Sequence, residues 1–260
     1  MTTQTQLMQR DIHMTGQDLM AMVQLRPQDV GKYAIVPGPK ERLDGLMKKI
    51  ENPVKNFSFM EYTMYTGTYA GVKVTGINGG RFAADTSITT EILCNAQVKC
   101  LIRIGSCGAL SGDIKIGDLI VATGCVRGDG VTPYYVNENF ETKPDAALTQ
   151  TITKIAEVAV APMGNKVHTG KVWTTDAILR ETKEHVNNAV NQGAVGVDMV
   201  SSAFLTIAQL YKIPAVSILA VSDNIMTGEM GFMNPDYYMS EGALITIALN
   251  LIKALEEKKG

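Results

Sequence analysis

Cys100-Leu101-Ile102-Arg103-Ile104-Gly105-Ser106-Cys107-Gly108-Ala109-Leu110 decides how this chain is read. It is an apolar run of strand length that delivers one arginine and then enters a series of small residues. Buried parallel strands read as short apolar runs, and ligands collect beyond their carboxyl ends. The segment predicts a strand over 100–104 and a turn over 105–108. Gly105 and Gly108 let backbone approach an anion closely, Ser106 offers a hydroxyl, and Arg103 adds a forked positive charge. Together these suit phosphate. Taken alone, the segment fits a second reading as well, a strand ending in a glycine turn with a solvated arginine.

Working outward, Thr86 to Ala96 reads as a helix leading into this strand, and Asp118 to Val126 as another strand after the turn Lys115-Ile116-Gly117. Tyr33-Ala34-Ile35-Val36 is a short strand that enters Pro37-Gly38-Pro39, followed by a helix carrying Arg42, Leu43 and Leu46-Met47. Met64 to Thr75 reads as a β-hairpin around Ala70-Gly71. Ala146 to Val160 has helical spacing of its apolar residues. Val195 to Asp198 is a strand followed by a helix from Ser201 to Tyr211. Pro214 to Val221 is an apolar strand ending at Ser222-Asp223, and Glu241 to Lys258 is an amphipathic C-terminal helix. Strands alternating with helices predict one α/β domain over residues 1–260, a three-layer sandwich with a central mixed β-sheet flanked by helices. The hairpin argues against an all-parallel sheet.

Composition narrows the function classes. The chain has 260 residues and a formal net charge of -2, so no global basic field points to nucleic acid or to an anionic membrane. Hydrophobic residues are 45% of the chain, enough for a substantial core. Met1 to Asp11 is polar, and no uninterrupted apolar run approaches the ~20 residues of a membrane span. Cys94, Cys100, Cys107 and Cys125 form no CxxC pair and read as reduced cysteines of a cytoplasmic protein. His13, His168 and His185 are scattered without metal-ligand spacing, so no metal is expected. The spacing of Gly105 and Gly108 is not that of a dinucleotide-binding turn, and a GxSxG nucleophile elbow is absent. Trp173 reads as core, and Arg127-Gly128-Asp129-Gly130 as a surface turn.

Four polar clusters fall where strands are predicted to end: Gly38 with Arg42, Arg103 with Ser106, Asp198-Met199, and Ser222-Asp223. Their common position predicts a shared pocket. In this order and spacing the chain resembles the nucleoside phosphorylase family, which includes bacterial purine nucleoside phosphorylase and uridine phosphorylase, over nearly its whole length. Ile35-Val36-Pro37-Gly38 with Arg42 resembles the family's first phosphate-binding turn. Thr66-Gly67-Thr68-Tyr69 is similar to its hairpin, and Trp173-Thr174-Thr175-Asp176-Ala177 with Arg180-Glu181-Thr182 to a segment of one bacterial and archaeal subgroup. Gly196-Val197-Asp198-Met199 resembles the sugar-binding segment, and Val221-Ser222-Asp223 the segment whose acid faces a purine base.

The resemblance implies a pentosyltransferase that cleaves the N-glycosidic bond of a nucleoside with phosphate, giving free base and pentose 1-phosphate. It implies that Gly38, Arg42, Arg103 and Ser106 bind phosphate, and that Arg103 and Asp223 are catalytic. His13, Met199 and Val200 would meet the sugar, with His13 reaching into a neighbouring subunit's pocket. Asp223, Ile178 and Arg180 would meet the base. No cofactor is implied, phosphate being a co-substrate, and the expected assembly is a homo-oligomer with a dimer as active unit, commonly a hexamer. Three positions depart from the family pattern. Val200 replaces an acidic residue that accepts hydrogen bonds from the ribose hydroxyls. Met60 stands where relatives often carry an arginine that reaches the partner's phosphate. The glycine-rich turn after the hairpin reads Gly79-Gly80-Arg81-Phe82. Asp223 favours a purine; a uridine phosphorylase, a nucleosidase using water, and a non-catalytic nucleoside-binding or storage protein are the alternatives.

Overall fold

The computed structural model describes residues 12–257. Helix α1 (Gly16–Met22) precedes β1 (Tyr33–Pro37), α2 (Lys40–Met47) and the strands β2 (Glu51–Phe59), β3 (Tyr62–Tyr69) and β4 (Val72–Ile77). Helix α3 (Ala83–Asn95) leads into β5 (Cys100–Ala109), followed by β6 (Leu119–Gly128), α4 (Ala146–Val160) and β7 (Val167–Thr175). Then come α5 (Lys183–Asn191), β8 (Ala194–Asp198), α6 (Ser201–Leu210), β9 (Ala215–Asn224), the two-residue β10 (Glu229–Met230) and α7 (Pro235–Glu257).

The ten strands form one mixed sheet in the order β10-β9-β6-β7-β8-β5-β1-β4-β3-β2, and β9 also pairs with β5. That extra pairing closes β5, β9, β6, β7 and β8 into a ring. β1 runs parallel to both β4 and β5, and β5 runs parallel to β9, whereas β8 meets the end of β5 antiparallel at Gly108 and Ala109.

Strand periodicity sorts the core into two layers. Ala34, Val36, Leu101, Leu219 and Val221 face one side, where they pack with Leu93 of α3 and Phe204 and Ile207 of α6. Tyr33, Ile35, Ile102, Ile104, Val216 and Ile218 face the other, against Leu43 of α2, Leu148 and Ile152 of α4, and Leu244, Ile247 and Leu251 of α7. Each Val, Leu, Ile or Phe among them contributes roughly 1.5–3 kcal/mol on burial. The helices start where side chains cap them. Asp145 accepts the Leu148 N–H at 2.8 Å to begin α4, and Thr15 and Asp18 form a reciprocal capping box at α1. Helix α7 is long and apolar enough, by length and composition, to cross a membrane. Its Leu244, Ile247, Leu251 and Ile252 are instead buried in the core.

The turn predicted over 105–108 is not formed. β5 continues to Ala109, with Gly105, Ser106 and Cys107 in parallel register with Leu219, Ala220 and Val221; an irregularity follows between Cys107 and Gly108. β9 likewise runs on through Ser222 and Asp223 to Asn224. Each strand gives the other a full-length partner, and this outweighs the turn preference of the small residues. Gly105 has a different task. A Cβ there would lie 2.7 Å from Arg103 Nη2, so the missing side chain makes room for the guanidinium.

Candidate functional site

A pocket of about 230 Å³ opens where β1, β5, β8 and β9 end or bend. It brings together Gly38, Arg42, Arg103, Ser106, Ile178, Asp198, Met199, Val200 and Asp223 of the residues expected from sequence, and adds Arg81 and Glu181.

One end is built around two buried arginines. The Arg42 side chain, on α2, is 7% exposed, and that of Arg103, on β5, is 4% exposed. Arg42 forms an ion pair with Glu241 of α7 and donates from Nη1 to the Ile104 carbonyl at 3.3 Å. Tyr237 steadies Glu241 with a 3.1 Å hydrogen bond. Arg103 donates from Nη1 to the Gly80 carbonyl at 2.8 Å and lies 3.7 Å from Asp198. Burial pushes the Arg103 pKa down to about 10; Asp198 opposes that shift and Arg42 adds to it. The guanidinium is charged at neutral pH. Arg42 Nε and Arg103 Nε are sealed from solvent and have no hydrogen-bond acceptor among the described residues. A buried donor without a partner costs about 1–3 kcal/mol. Independently of those sealed Nε atoms, the two guanidinium groups line one end of the pocket together with Ser106 and so mark a place for an anion with several oxygens. Gly38 and Gly80 border it closely, a Cβ on Gly80 meeting Arg103 Nη1 at 2.7 Å.

Asp198 organises the middle. Its carboxylate accepts from Thr174 Oγ1 at 2.9 Å, Val200 N at 3.1 Å and Ser201 Oγ at 2.7 Å. These bonds satisfy the exposed N–H groups at the start of α6 and hold Met199 and Val200 along the pocket. Val200 is 1% exposed. A second buried carboxylate braces the same turn. Asp129 accepts from Thr132 N at 2.7 Å and Thr132 Oγ1 at 2.9 Å, and from the Ser202 hydroxyl. The segment predicted as a surface turn at 127–130 does expose Gly128 and Gly130, but its Asp129 is buried and serves as an internal brace.

The other end carries carboxyls. Asp223 lies on β9, with Ser222 Oγ 2.7 Å from its Oδ1. Gly108 admits it, since a Cβ there would stand 2.9 Å from Asp223 Oδ2. Glu181 lines the same pocket after the single turn Ile178–Arg180. Burial, and then the charge of Asp223, push its carboxyl up to about 7. Ile178, 59% exposed, stands at the rim.

Two expected site residues lie elsewhere. Arg180 lines a separate cleft with Trp173 and His185, turned there by the 3-10 turn that points Ile178 and Glu181 to the pocket. His13 is exposed and does not line this chain's pocket. Met60 occupies the β2–β3 turn, 76% exposed. Glu181 was missed because a lone carboxylate in a polar loop carries no periodicity. Its neighbourhood, Arg180-Glu181-Thr182, was nonetheless among the family-like segments.

The family model described as the phosphorylase superfamily matches residues 32–243. A guanosine phosphorylase of Halorubrum lacusprofundi is 26% identical over 87% of this chain and 95% of its own length. A DeoD-type purine nucleoside phosphorylase of Bacillus cereus is 30% identical over 80% of this chain and 88% of its own. A crystal structure of uridine phosphorylase from Vibrio fischeri ES114, complexed with 6-hydroxy-1-naphthoic acid, superposes with a TM-score of 0.79 at 25% identity, covering 91% of this chain and 99% of that one.

Proposed function

Since this chain belongs to the phosphorylase superfamily, we propose that it is a nucleoside phosphorylase that cleaves purine nucleosides reversibly to free base and pentose 1-phosphate. The observation that carries this reading is the pair of buried arginines, Arg42 and Arg103, that line the same end of the pocket. Phosphate set against them is both nucleophile and counter-charge. Cleavage makes the sugar cationic and the base anionic, and a fixed anion beside the sugar stabilises that charge as it grows. Ser106 lies on the strand that carries Arg103 and adds a hydroxyl. Met199 and Val200 form the sugar wall. Asp223 faces the base, with Ile178 over it. The reaction draws on no metal or organic cofactor.

A second reading, uridine cleavage, is favoured by the likeness to the Vibrio fischeri structure. The carboxyls at the far end argue for the purine, because a departing purine takes a proton at a ring nitrogen. The homo-oligomer carried over from the family resemblance, with a dimer as active unit, gives His13 a place in a neighbour's pocket. The four cysteines, all free, suit the cytoplasm.

A panel of nucleosides, incubated with and without phosphate and read by release of free base, tests the proposal. Release from purine nucleosides that depends on phosphate is expected. Equal rates in phosphate-free buffer would refute it in favour of hydrolysis. Binding without release would favour a storage role.

A further inference from the structure

The turn between β4 and α3 carries a cation with no firm partner. Arg81 lines the pocket at its arginine end, beside Gly38, Arg42, Gly80 and Arg103, and its side chain is 50% exposed. The two buried arginines are committed: Arg42 to Glu241, Arg103 to the Gly80 carbonyl and Asp198. The Arg81 side chain donates no hydrogen bond among the described residues. Its Nε stands 3.8 Å from Asp85 Oδ2, beyond hydrogen-bond reach, and its guanidinium lies 5.5 Å from the centre of the Phe82 ring. Asp85, in the first turn of α3, is just as incompletely met. Its Oδ2 is sealed from solvent without a hydrogen-bond partner, and its Oδ1 accepts from the Tyr62 hydroxyl at a long 3.4 Å.

The backbone sets the stem of Arg81 against the anion end. Gly79 N donates to the Gly38 carbonyl at 3.4 Å, which ties this turn to the one after β1. A Cβ on Gly38 would lie 3.3 Å from the Gly80 carbonyl oxygen, 3.5 Å from Arg42 Nη1 and 3.9 Å from Arg81 Cγ. The missing side chain leaves one opening that the Arg42 guanidinium and the Arg81 stem both border.

We propose that Arg81 is a swinging third ligand for phosphate: it rests loosely against Asp85 in the ligand-free pocket and closes over the anion once Arg42 and Arg103 hold it. The inference rests on the phosphorolysis reading and deepens it, because Asp85 then competes with phosphate for one guanidinium. Rotation about the bonds beyond Cγ moves the charge while the turn stays in place. A tetrahedral dianion has oxygens left over after two arginines are satisfied, and it offers Arg81 charge-assisted hydrogen bonds that a carboxylate 3.8 Å away does not. The arm leaves behind a poorly solvated carboxylate without its cation, and that cost draws it back when the anion departs. Arg42 and Arg103 fix the anion; Arg81 sets how tightly it is kept.

Calorimetric titration of inorganic phosphate into the full-length protein, without nucleoside and at fixed ionic strength, tests the arm. Arg81→Gln should weaken phosphate binding roughly tenfold, the loss of a charge-assisted contact made partly in solvent. Arg81→Lys should recover part of that loss, since it keeps the charge without the fork. Asp85→Asn keeps an oxygen for Tyr62 and frees the arm, so binding should tighten roughly threefold or more. In the double variant this gain should vanish, because it acts only through Arg81. In phosphorolysis, Arg81→Gln should raise KM for phosphate by about the same factor and leave KM for the nucleoside in place. A folded Arg81→Gln protein that binds phosphate within twofold of wild type would overturn the arm. So would an Asp85→Asn protein that binds phosphate no more tightly, or a gain that survives in the double variant, which would make Asp85 a plain repulsive charge. Failure of the phosphorolysis reading looks different: the wild-type protein itself then takes up no phosphate, and any nucleoside cleavage is indifferent to it.

Discussion

Replacing Arg103 by methionine separates what this side chain does for the fold from what it does for phosphate. Methionine matches the arginine stem out to Nε and carries no charge, so the stem stays packed while the space that Gly80 and Gly105 leave for the guanidinium is emptied. The Gly80 carbonyl loses its 2.8 Å donor, worth about 1 kcal/mol. Asp198 loses a cation 3.7 Å away but keeps Thr174, Val200 and Ser201 as donors. Relief from burying a guanidinium offsets part of both losses. Net stability should change by no more than about 2 kcal/mol, a shift of roughly 4–8 °C in Tm at this chain length. Activity should change far more. A charge-assisted hydrogen bond contributes about 1.5–3 kcal/mol, and a forked contact places two of them on one anion. A loss of about 2.7 kcal/mol is already 100-fold in kcat/KM. The assay is phosphorolysis at varied phosphate, paired with a thermal melt. A 100-fold or greater fall in kcat/KM for phosphate with a folded protein is expected. Arg103→Lys should land between the two, because an ammonium cannot reproduce the fork. A folded Arg103→Met enzyme with phosphate kinetics within fivefold of wild type would refute the assignment.

Two further substitutions probe the other walls. Val200 cannot accept a hydrogen bond, and a buried sugar hydroxyl without a partner costs about 1–3 kcal/mol. The ratio of kcat/KM for 2′-deoxyribonucleoside over ribonucleoside should therefore exceed that of relatives with an acidic residue here. Val200→Glu should raise ribonucleoside turnover; a strong ribose preference in wild type with no gain in the variant would show that Val200 does not face the sugar. Gly108→Ala puts a Cβ 2.9 Å from Asp223 Oδ2 and 3.2 Å from Val197 Cγ1. Overpacking of this kind costs about 1–3 kcal/mol. Displacement of Asp223 should lower purine cleavage roughly tenfold or more while KM for phosphate holds, in line with loss of general acid–base help; unchanged purine kinetics would place the carboxyl outside the reaction.

The core strands and long helices were legible because burial imposes a period. β1, β5, β6 and β9 are apolar runs, and α4 repeats its buried residues at Leu148, Ile152 and Ala156. β2 was missed for the opposite reason. It is an exposed edge strand with Pro53 inside it, two register shifts and one buried residue, Phe57, so nothing in its sequence alternates. β7 contains Gly170, whose missing side chain leaves room for Val195, a contact that only the assembled sheet reveals. α5 buries just Val186 and Ala189. α1 was not read either, although Thr15 and Asp18, spaced three apart, form its capping box. At the site, the residue types and the convergence of four strand-end clusters on one pocket were readable, and the partners that hold them were not. Arg42, Arg103 and Asp223 come from three separated strands or helices. The carboxylates that hold them, Glu241 and Asp198, are joined to them only by folding.

The ring formed by β5, β9, β6, β7 and β8 has a consequence for how the protein breathes. A strand paired on both sides cannot peel away without breaking two ladders at once. Arg103, paired with Val36 on β1 and Ser217 on β9, therefore sits on a segment that opens only with the whole domain, and its amide belongs with the slowest to exchange with solvent. Glu181 and Ile178 sit on the short turn after β7, which no ladder holds. Hydrogen exchange should accordingly divide the pocket in two: a rigid half that fixes phosphate and acid, and a lighter rim that opens on its own to let a nucleoside enter and a base leave.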